Sequence, residues 1–366
     1  MRVMITGGGT AGHTSPAVAI IEELQKRDPR LELQWVGCRG SVEERVCSTL
    51  SIPFRSVPVR GWPRAGVLRR VSALFALGLG VARCVFHLRA FRPQVVIGVG
   101  GYVSVPLTWL AQRFRVPTIL HEQNKQLGLA NRVLARRAHI LLLSFPDTEG
   151  PYPQDRARVV GNPVRNGFLN PPVRAAACAA LELDATVPVV LVCGGSQGAH
   201  TLNQAMEEVL EQFQFGEAQF IWMTGKADVV RARRTAAGCK AAVTVHAFID
   251  DMVTACSAAT LMVSRAGASS TAEIATLGKP SILVPYPFAT DNHQDVNARA
   301  FEEAGAAVLI SDGECTGERL VEELRALLGD PARLGRMGEA ARTLAKPVAV
   351  ETIVETIFSV SFKEAS

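Results

Sequence analysis

The chain has 366 residues, 48% hydrophobic and 20% charged, with 31 Gly and 20 Pro. That excludes a disordered or collagen-like chain and favours two domains, each able to bury its own core. The net charge of +5 hides an asymmetry: residues 1–162 carry 22 Lys/Arg against 10 Asp/Glu, and residues 163–366 carry 17 against 24. The basic half expects an anionic partner. Nucleic acid is disfavoured, since no aromatic ladder, zinc finger or helix-turn-helix pattern accompanies the arginines.

Met1–Thr6 reads as a buried strand running into Gly7-Gly8-Gly9-Thr10-Ala11-Gly12-His13, with a helix pattern from near Pro16. Met1-Arg2 leads straight into Val3-Met4-Ile5 with no apolar leader and cleavage site, so no secretory signal is expected. Apolar strands follow at Leu31–Val36, Val95–Val99, Thr118–Leu120 and Ile140–Leu143. From Arg45 to His121 there are eleven arginines and no acid. Within that stretch, Gly61–Arg92 mixes Trp62, Leu68, Phe75 and Leu79 with Arg69, Arg70 and Arg83. Such a pattern suits a helix lying in the headgroup region of an anionic leaflet; the bland alternative is a domain helix with solvated arginines. The most continuous apolar stretches, Val71–Ala82 and Val95–Ala111, have 12 and 17 residues, short of the roughly 20 that span a bilayer. The eight cysteines contain no CxxC pair and lie mostly in apolar runs, which reads as reduced core cysteine in a cytosolic protein.

Pro and Gly cluster at Gly161-Asn162-Pro163 and Pro171-Pro172, placing a linker there. The opening plan then repeats: Val187–Cys193 is a buried strand entering Gly194-Gly195-Ser196-Gln197-Gly198-Ala199, with a helix from about Leu202. Strands follow at Phe220–Thr224, Val243–Ala247, Leu261–Val263 and Ser281–Val284. Alternating strand and helix implies parallel sheets, hence an α/β fold of two Rossmann-like doubly wound domains with ligands at the strand carboxyl ends, in a cleft between them.

Gly7, Gly9 and Gly12 satisfy the dinucleotide fingerprint G-x-G-x-x-G. The second strand ends Gly37-Cys38-Arg39 rather than on an acid, so an NADP reductase stays open. Gly194-x-Ser196-x-Gly198 matches a nucleophile elbow, with Asp250 or Asp251 and His293 in triad order. That hydrolase reading leaves the first half unexplained. The physics common to both turns is a helix N-terminus receiving an anion. A third such turn, Ser264-Arg265-Ala266-Gly267-Ala268-Ser269-Ser270-Thr271-Ala272-Glu273, is lined by small hydroxyl residues that let a diphosphate approach. Glu273, expected in the first helical turn, would accept both ribose hydroxyls, and Asp291 and Gln294 would read sugar hydroxyls.

These turns, with Gly98-Val99-Gly100-Gly101-Tyr102-Val103-Ser104, His121-Glu122-Gln123-Asn124, Gly161-Asn162-Pro163-Val164-Arg165 and Phe248-Ile249-Asp250-Asp251-Met252, together resemble one group of bacterial enzymes: the GT-B glycosyltransferases of family 28 that add N-acetylglucosamine (GlcNAc) to lipid I. The likeness runs from Met1 to about Phe358. It implies inverting transfer of GlcNAc from UDP-GlcNAc to the C4 hydroxyl of MurNAc in lipid I (undecaprenyl-pyrophosphoryl-MurNAc-pentapeptide), giving lipid II in peptidoglycan synthesis. It implies an acceptor and membrane-association domain at 1–164 and a UDP-GlcNAc domain at 165–345, with a C-terminal helix at about 346–366 packing back on the first. The partners implied are UDP-GlcNAc, lipid I, an anionic membrane surface at the cytoplasmic face of the plasma membrane, and other cell-wall synthesis proteins. No cofactor or metal is implied, and no Asp-x-Asp metal motif occurs.

By the same resemblance the donor lies on Thr10, Ala11, Gly12, Asn124, Arg165, Ser196, Ile249, Ala268, Ser269, Ser270, Thr271, Ala272, Glu273 and Gln294. Gly8, Gly9, Gly100, Gly101, Tyr102 and Ser104 belong to loops facing the acceptor pyrophosphate, and Trp62, Leu68, Arg69, Arg70, Phe75 and Leu79 to the membrane contact. The transfer needs a base and stabilisation of leaving UDP. His13 is the first candidate base and Glu122 the alternative; a histidine bonded to a loop carbonyl is the bland alternative for His13, and His121 reads as structural. The Ser269–Thr271 hydroxyls, the helix dipole and Arg165 would carry the leaving charge. Two departures from the family pattern stand out. Ala11 replaces a glycine, costing about 1 kcal/mol if that position needs positive φ, and Lys125 adds a charge after His121–Asn124. A transferase acting on another lipid and a non-catalytic nucleotide-binding scaffold are the remaining alternatives.

Overall fold

The computed structural model describes residues 1–9, 11–59, 67–289 and 292–363, without the side chains of 11, 67–71, 73, 74, 362 and 363. The expectations for Thr10, Trp62 and Asp291, and for the side chains of Ala11, Leu68, Arg69 and Arg70, therefore lie outside the described residues. The chain divides into two compact units, Met1–Arg165 with Val348–Ser366, and Asn166–Pro347.

The first unit carries β1 (Arg2–Thr6), β2 (Glu32–Gly37), β3 (Phe54–Ser56), β4 (Val95–Gly98), β5 (Thr118–Glu122), β6 (Ile140–Leu143) and β7 (Ala157–Val159). They form one sheet in the order β3-β2-β1-β4-β5-β6-β7, with every pair parallel. In β1, Ile5 lies opposite Trp35 of β2 and Ile97 of β4. Successive side chains point to opposite faces, and both faces are covered, which explains the unbroken apolar strands. Val3 and Ile5 pack with Ile20, Leu24 and Trp35 on one face, where Ile353, Val354 and Ile357 also insert. Those three belong to the C-terminal helix Ala349–Lys363, which lies against the helix Ala11–Arg27. Met4 and Val36 pack with Leu88 and Leu107 on the other face.

The second unit carries β8 (Val189–Cys193), β9 (Gln219–Met223), β10 (Ala242–His246), β11 (Leu261–Ser264), β12 (Ser281–Leu283) and β13 (Ala307–Leu309). Their order is β10-β9-β8-β11-β12-β13, again all parallel. Val190, Val192, Leu202, Met206 and Trp222 form its core with Leu324. In both sheets the order reverses beside the first strand of the unit, β1 or β8. That switch point is where doubly wound sheets place their ligands.

Two α/β units with parallel doubly wound sheets are what the alternation of strand and helix implied. Three strands were not anticipated: β3, β7 and β13. Each has three residues and lies at a sheet edge, where one flank is unpaired and no long apolar run is needed. Phe54-Arg55-Ser56 and Ala157-Arg158-Val159 accordingly carry a central arginine. The first helix begins at Ala11, not near Pro16, and holds Pro16 inside it. Ala11 thus sits in helical backbone, so the strain anticipated for a left-handed alanine does not arise. The basic apolar segment forms the helix Val67–Phe91. Among the described residues no helix is long and apolar enough to cross a membrane.

Candidate active site

In the first unit, the turns after β1 and β4 lie against each other. Gly7, Gly8 and Gly9 have φ of +136°, +138° and +89°, and Gly100 and Gly101 have +94° and +77°, values L side chains rarely adopt. Space is equally restrictive: a Cβ on Gly7 would lie 2.7 Å from the Gly100 carbonyl, and one on Gly101 2.6 Å from the Gly8 carbonyl. The indole of Trp35 donates to the Gly7 carbonyl at 3.1 Å. Beneath the turn, fully buried Glu43 accepts from the Gly9 N–H at 3.2 Å and the Cys38 N–H at 3.3 Å. Tyr102 stands exposed beside Gly9. Ser104 is wholly buried and its hydroxyl donates to the Gly101 carbonyl at 2.8 Å. That hydroxyl shapes the turn.

The third strand end supplies His121, Glu122 and Gln123, all buried, and half-buried Asn124. Each oxygen of Glu122 is occupied: Oε1 accepts from the Asn124 N–H at 3.1 Å and the Asn124 amide at 3.2 Å. Oε2 accepts from the Gly128 N–H at 2.8 Å and the Asn131 amide at 2.9 Å. A carboxylate so engaged folds the 124–131 loop and is badly placed to take a proton from substrate. This favours His13 over the alternative base. His13, half-buried in the first turn of the helix Ala11–Arg27, bonds through Nδ1 to Gln123 Oε1 at 2.9 Å, not to a loop carbonyl. Burial pushes the imidazole of His121 down to about 4. Lys125 is paired with Asp147, so its added charge is locally offset.

In the second unit, β8 ends in a turn with Gly195 and Gly198 at φ +86° and +83°, followed by the helix His200–Gln212. Ser196 is half-buried in that turn. β11 leads through Arg265 to the helix Ala268–Leu277, capped by Gly267. Ala268 is buried, while Ser269, Ser270, Ala272 and Glu273 are half-buried. Two expectations are corrected here. Glu273 is the sixth helical residue and lies in the second turn, because Arg265–Gly267 remain outside the helix. Thr271 is buried and its hydroxyl donates to the Gly267 and Ala268 carbonyls at 3.2 and 3.1 Å, so it is not turned toward a diphosphate. Ile249 is buried and its neighbour Phe248 exposed. Gln294 accepts from the Tyr286 N–H at 3.0 Å through Oε1. Arg165 is half-buried at the last residue of the first unit's main segment. Asp251 uses both oxygens on Thr254, accepting at 3.0 and 2.6 Å as the cap of the helix Met252–Ala258, which weakens the hydrolase triad.

Sequence reasoning gave no role to Arg265. Only 8% exposed, it donates to the Val284 and Pro285 carbonyls, both at 3.1 Å, and pairs with Asp312 at 2.5 Å. Asp312 also accepts from Thr201 at 3.1 Å, so Arg265 ties together the segments following β8, β11, β12 and β13. Glu43 and Gln123 likewise have no role in the sequence reading; Gln123 lies inside the His121–Asn124 motif, whereas Glu43 lies in none. Among the described residues, no group of three or more His, Cys, Asp or Glu side chains is placed to hold a metal ion.

The glycosyltransferase family 28 N-terminal domain matches residues 3–142, and the family 28 C-terminal domain residues 189–353. A UDP-N-acetylglucosamine–N-acetylmuramyl-(pentapeptide) pyrophosphoryl-undecaprenol N-acetylglucosamine transferase from Desulforudis audaxviator is 39% identical over 98% of both chains. The transferase of the same name from Myxococcus xanthus is 38% identical over 97% of this chain and 92% of its own. Among solved structures, MurG from Acinetobacter baumannii superposes with a TM-score of 0.75 at 29% identity, covering 98% of this chain and 99% of that one. The chain belongs to glycosyltransferase family 28, and within it to the UDP-N-acetylglucosamine–N-acetylmuramyl-(pentapeptide) pyrophosphoryl-undecaprenol N-acetylglucosamine transferases.

Proposed function

We propose that the chain moves GlcNAc from UDP-GlcNAc to the C4 hydroxyl of MurNAc in lipid I, with inversion, giving lipid II for peptidoglycan synthesis. The observation that carries this reading is the 39% identity, over 98% of both chains, to a transferase named for that activity. The second unit holds the donor. Ser196 and the N-terminal turn of the helix Ala268–Leu277, with Ser269 and Ser270, receive the diphosphate. Ile249 offers backbone to uracil, Glu273 takes the ribose hydroxyls, and the amide nitrogen of Gln294 reads the sugar, its oxygen being held by Tyr286. The family resemblance adds Thr10, Ala11, Gly12, Asn124 and Arg165 to the expected donor contacts.

In the reaction, His13 Nε2 takes the proton of the acceptor C4 hydroxyl as that oxygen bonds to the anomeric carbon of GlcNAc. The bond from that carbon to the diphosphate breaks, and its electron pair leaves on UDP. Helix-end amides, serine hydroxyls and Arg165 stabilise the departing charge. Acceptor and membrane lie with the first unit, whose helix Val67–Phe91 exposes Phe75 and Phe86 at 71% and 68%. Leu79, on the same helix, is 46% exposed. Apolar side chains in a basic segment suit peripheral attachment to the cytoplasmic leaflet, which is anionic.

The test is transfer of radiolabelled GlcNAc from UDP-GlcNAc to a lipid I analogue. Turnover supports the reading. UDP-GlcNAc binding without transfer would mean a different acceptor, and no binding at all would remove the donor assignment.

A further inference from the structure

Between β1, β4 and β5 runs a hydrogen-bond chain whose direction follows from the chemistry of its ends. The Val99 and His121 carbonyls can only accept, so the Gln123 atom 2.9 Å and 3.3 Å from them is the amide nitrogen. That nitrogen also lies 2.9 Å from His121 Nδ1, which must then be an acceptor. Held near pKa 4 by burial, the His121 ring is neutral at ordinary pH. Its single proton is therefore on Nε2, facing the Gly161 carbonyl at 3.3 Å. The opposite end of the Gln123 amide is an oxygen, which can only accept, and it lies 2.9 Å from His13 Nδ1.

We infer that Gln123 is the positioning residue that sets the tautomer of His13: by accepting from Nδ1–H it leaves Nε2 with its lone pair, and the Val99 and His121 carbonyls fix which way the Gln123 amide faces. A ring nitrogen's protonation is decided by the hydrogen bond its partner nitrogen makes, and a base held in the wrong tautomer is ineffective. Gln123 is 2% exposed, and four of its contacts are to protein groups, so the amide has no freedom to turn over. The inference rests on His13 being the base of the proposed transfer.

The test uses the full chain with ¹⁵N-labelled histidine and long-range ¹H–¹⁵N spectra at neutral pH, without substrates. His13 is expected to carry its proton on Nδ1 and His121 on Nε2. In Gln123→Leu the acceptor is gone, and His13 should shift to a mixture or to the Nε2–H form. kcat should then fall on the order of 10–100-fold at unchanged donor KM. In Gln123→Glu, with the carboxyl proton on the oxygen that faces the Val99 and His121 carbonyls, an acceptor again faces Nδ1 and His13 should return to the Nδ1–H form. A wild-type His13 protonated on Nε2 would overturn the inference, as would a Gln123→Leu enzyme that loses kcat while His13 keeps its tautomer. If the tautomers behave as expected but His13→Ala turns over normally, the base assignment fails and the catalytic role of Gln123 fails with it.

Discussion

The carboxylate of Glu43 accepts the N–H of Gly9, 34 residues away, and lies so close under the turn that a Cβ on Gly8 would come within 2.4 Å of it. The turn is folded around a protein carboxylate. A dinucleotide-binding turn would leave that amide for a pyrophosphate, so the contact also argues against the NADP reading. Glu43→Ala leaves two amides without their acceptor and should cost about 1–3 kcal/mol, read as a lower urea midpoint at unchanged slope. Glu43→Gln keeps one oxygen and should cost less.

Gly198 and Gly225 meet backbone to backbone. A Cβ on Gly198 would stand 2.1 Å from the Thr224 carbonyl, and one on Gly225 2.4 Å from the Gln197 carbonyl. Neither neighbour is a movable side chain, and Gly198 also has φ +83°. Gly198→Ala should lower stability by roughly 3 kcal/mol or more and weaken UDP binding. Calorimetric unfolding with and without UDP checks both.

The helix Ala268–Leu277 separates two roles that look alike in sequence. Glu273→Ala should raise the donor KM about tenfold or more, the equivalent of a hydrogen bond to a charged group, with kcat less affected. Thr271→Val should leave donor KM within about twofold, because that hydroxyl is spent on the Gly267 and Ala268 carbonyls. Steady-state kinetics against UDP-GlcNAc distinguishes them. A large KM effect in Thr271→Val would mean that the hydroxyl turns outward to the donor.

His121 should make the protein acid-sensitive. Burial holds its imidazole at about 4, against about 6.5 in the unfolded chain. Between those values the unfolded state binds more protons, so stability is intact above about pH 6.5 and is lost as pH falls toward 4. The loss is on the order of 3 kcal/mol. His121→Leu removes that slope whatever it does to stability at neutral pH. Urea unfolding at three pH values for both proteins measures the difference.

Much of this protein was legible from its sequence. Central parallel strands are buried on both faces, so their residues form continuous apolar runs; positive-φ turns demand glycine, so the turns after β1, β4 and β8 are visible as glycine clusters. Both signals are local, and together they disclosed the two doubly wound sheets and the family. Edge strands such as Ala157–Val159 need little apolar sequence and were invisible for that reason. The site's polar wiring was invisible for a different one. Whether Thr271 turns inward, whether Glu122 is a base or a clasp, and which nitrogen of His13 holds the proton all depend on partners chosen in space. Gln123 lies 110 residues from His13, and Glu43 lies 34 from Gly9. No periodicity encodes such pairs. A buried polar atom must find a partner wherever the folded chain brings one within about 3 Å, and only the tertiary structure decides which one that is.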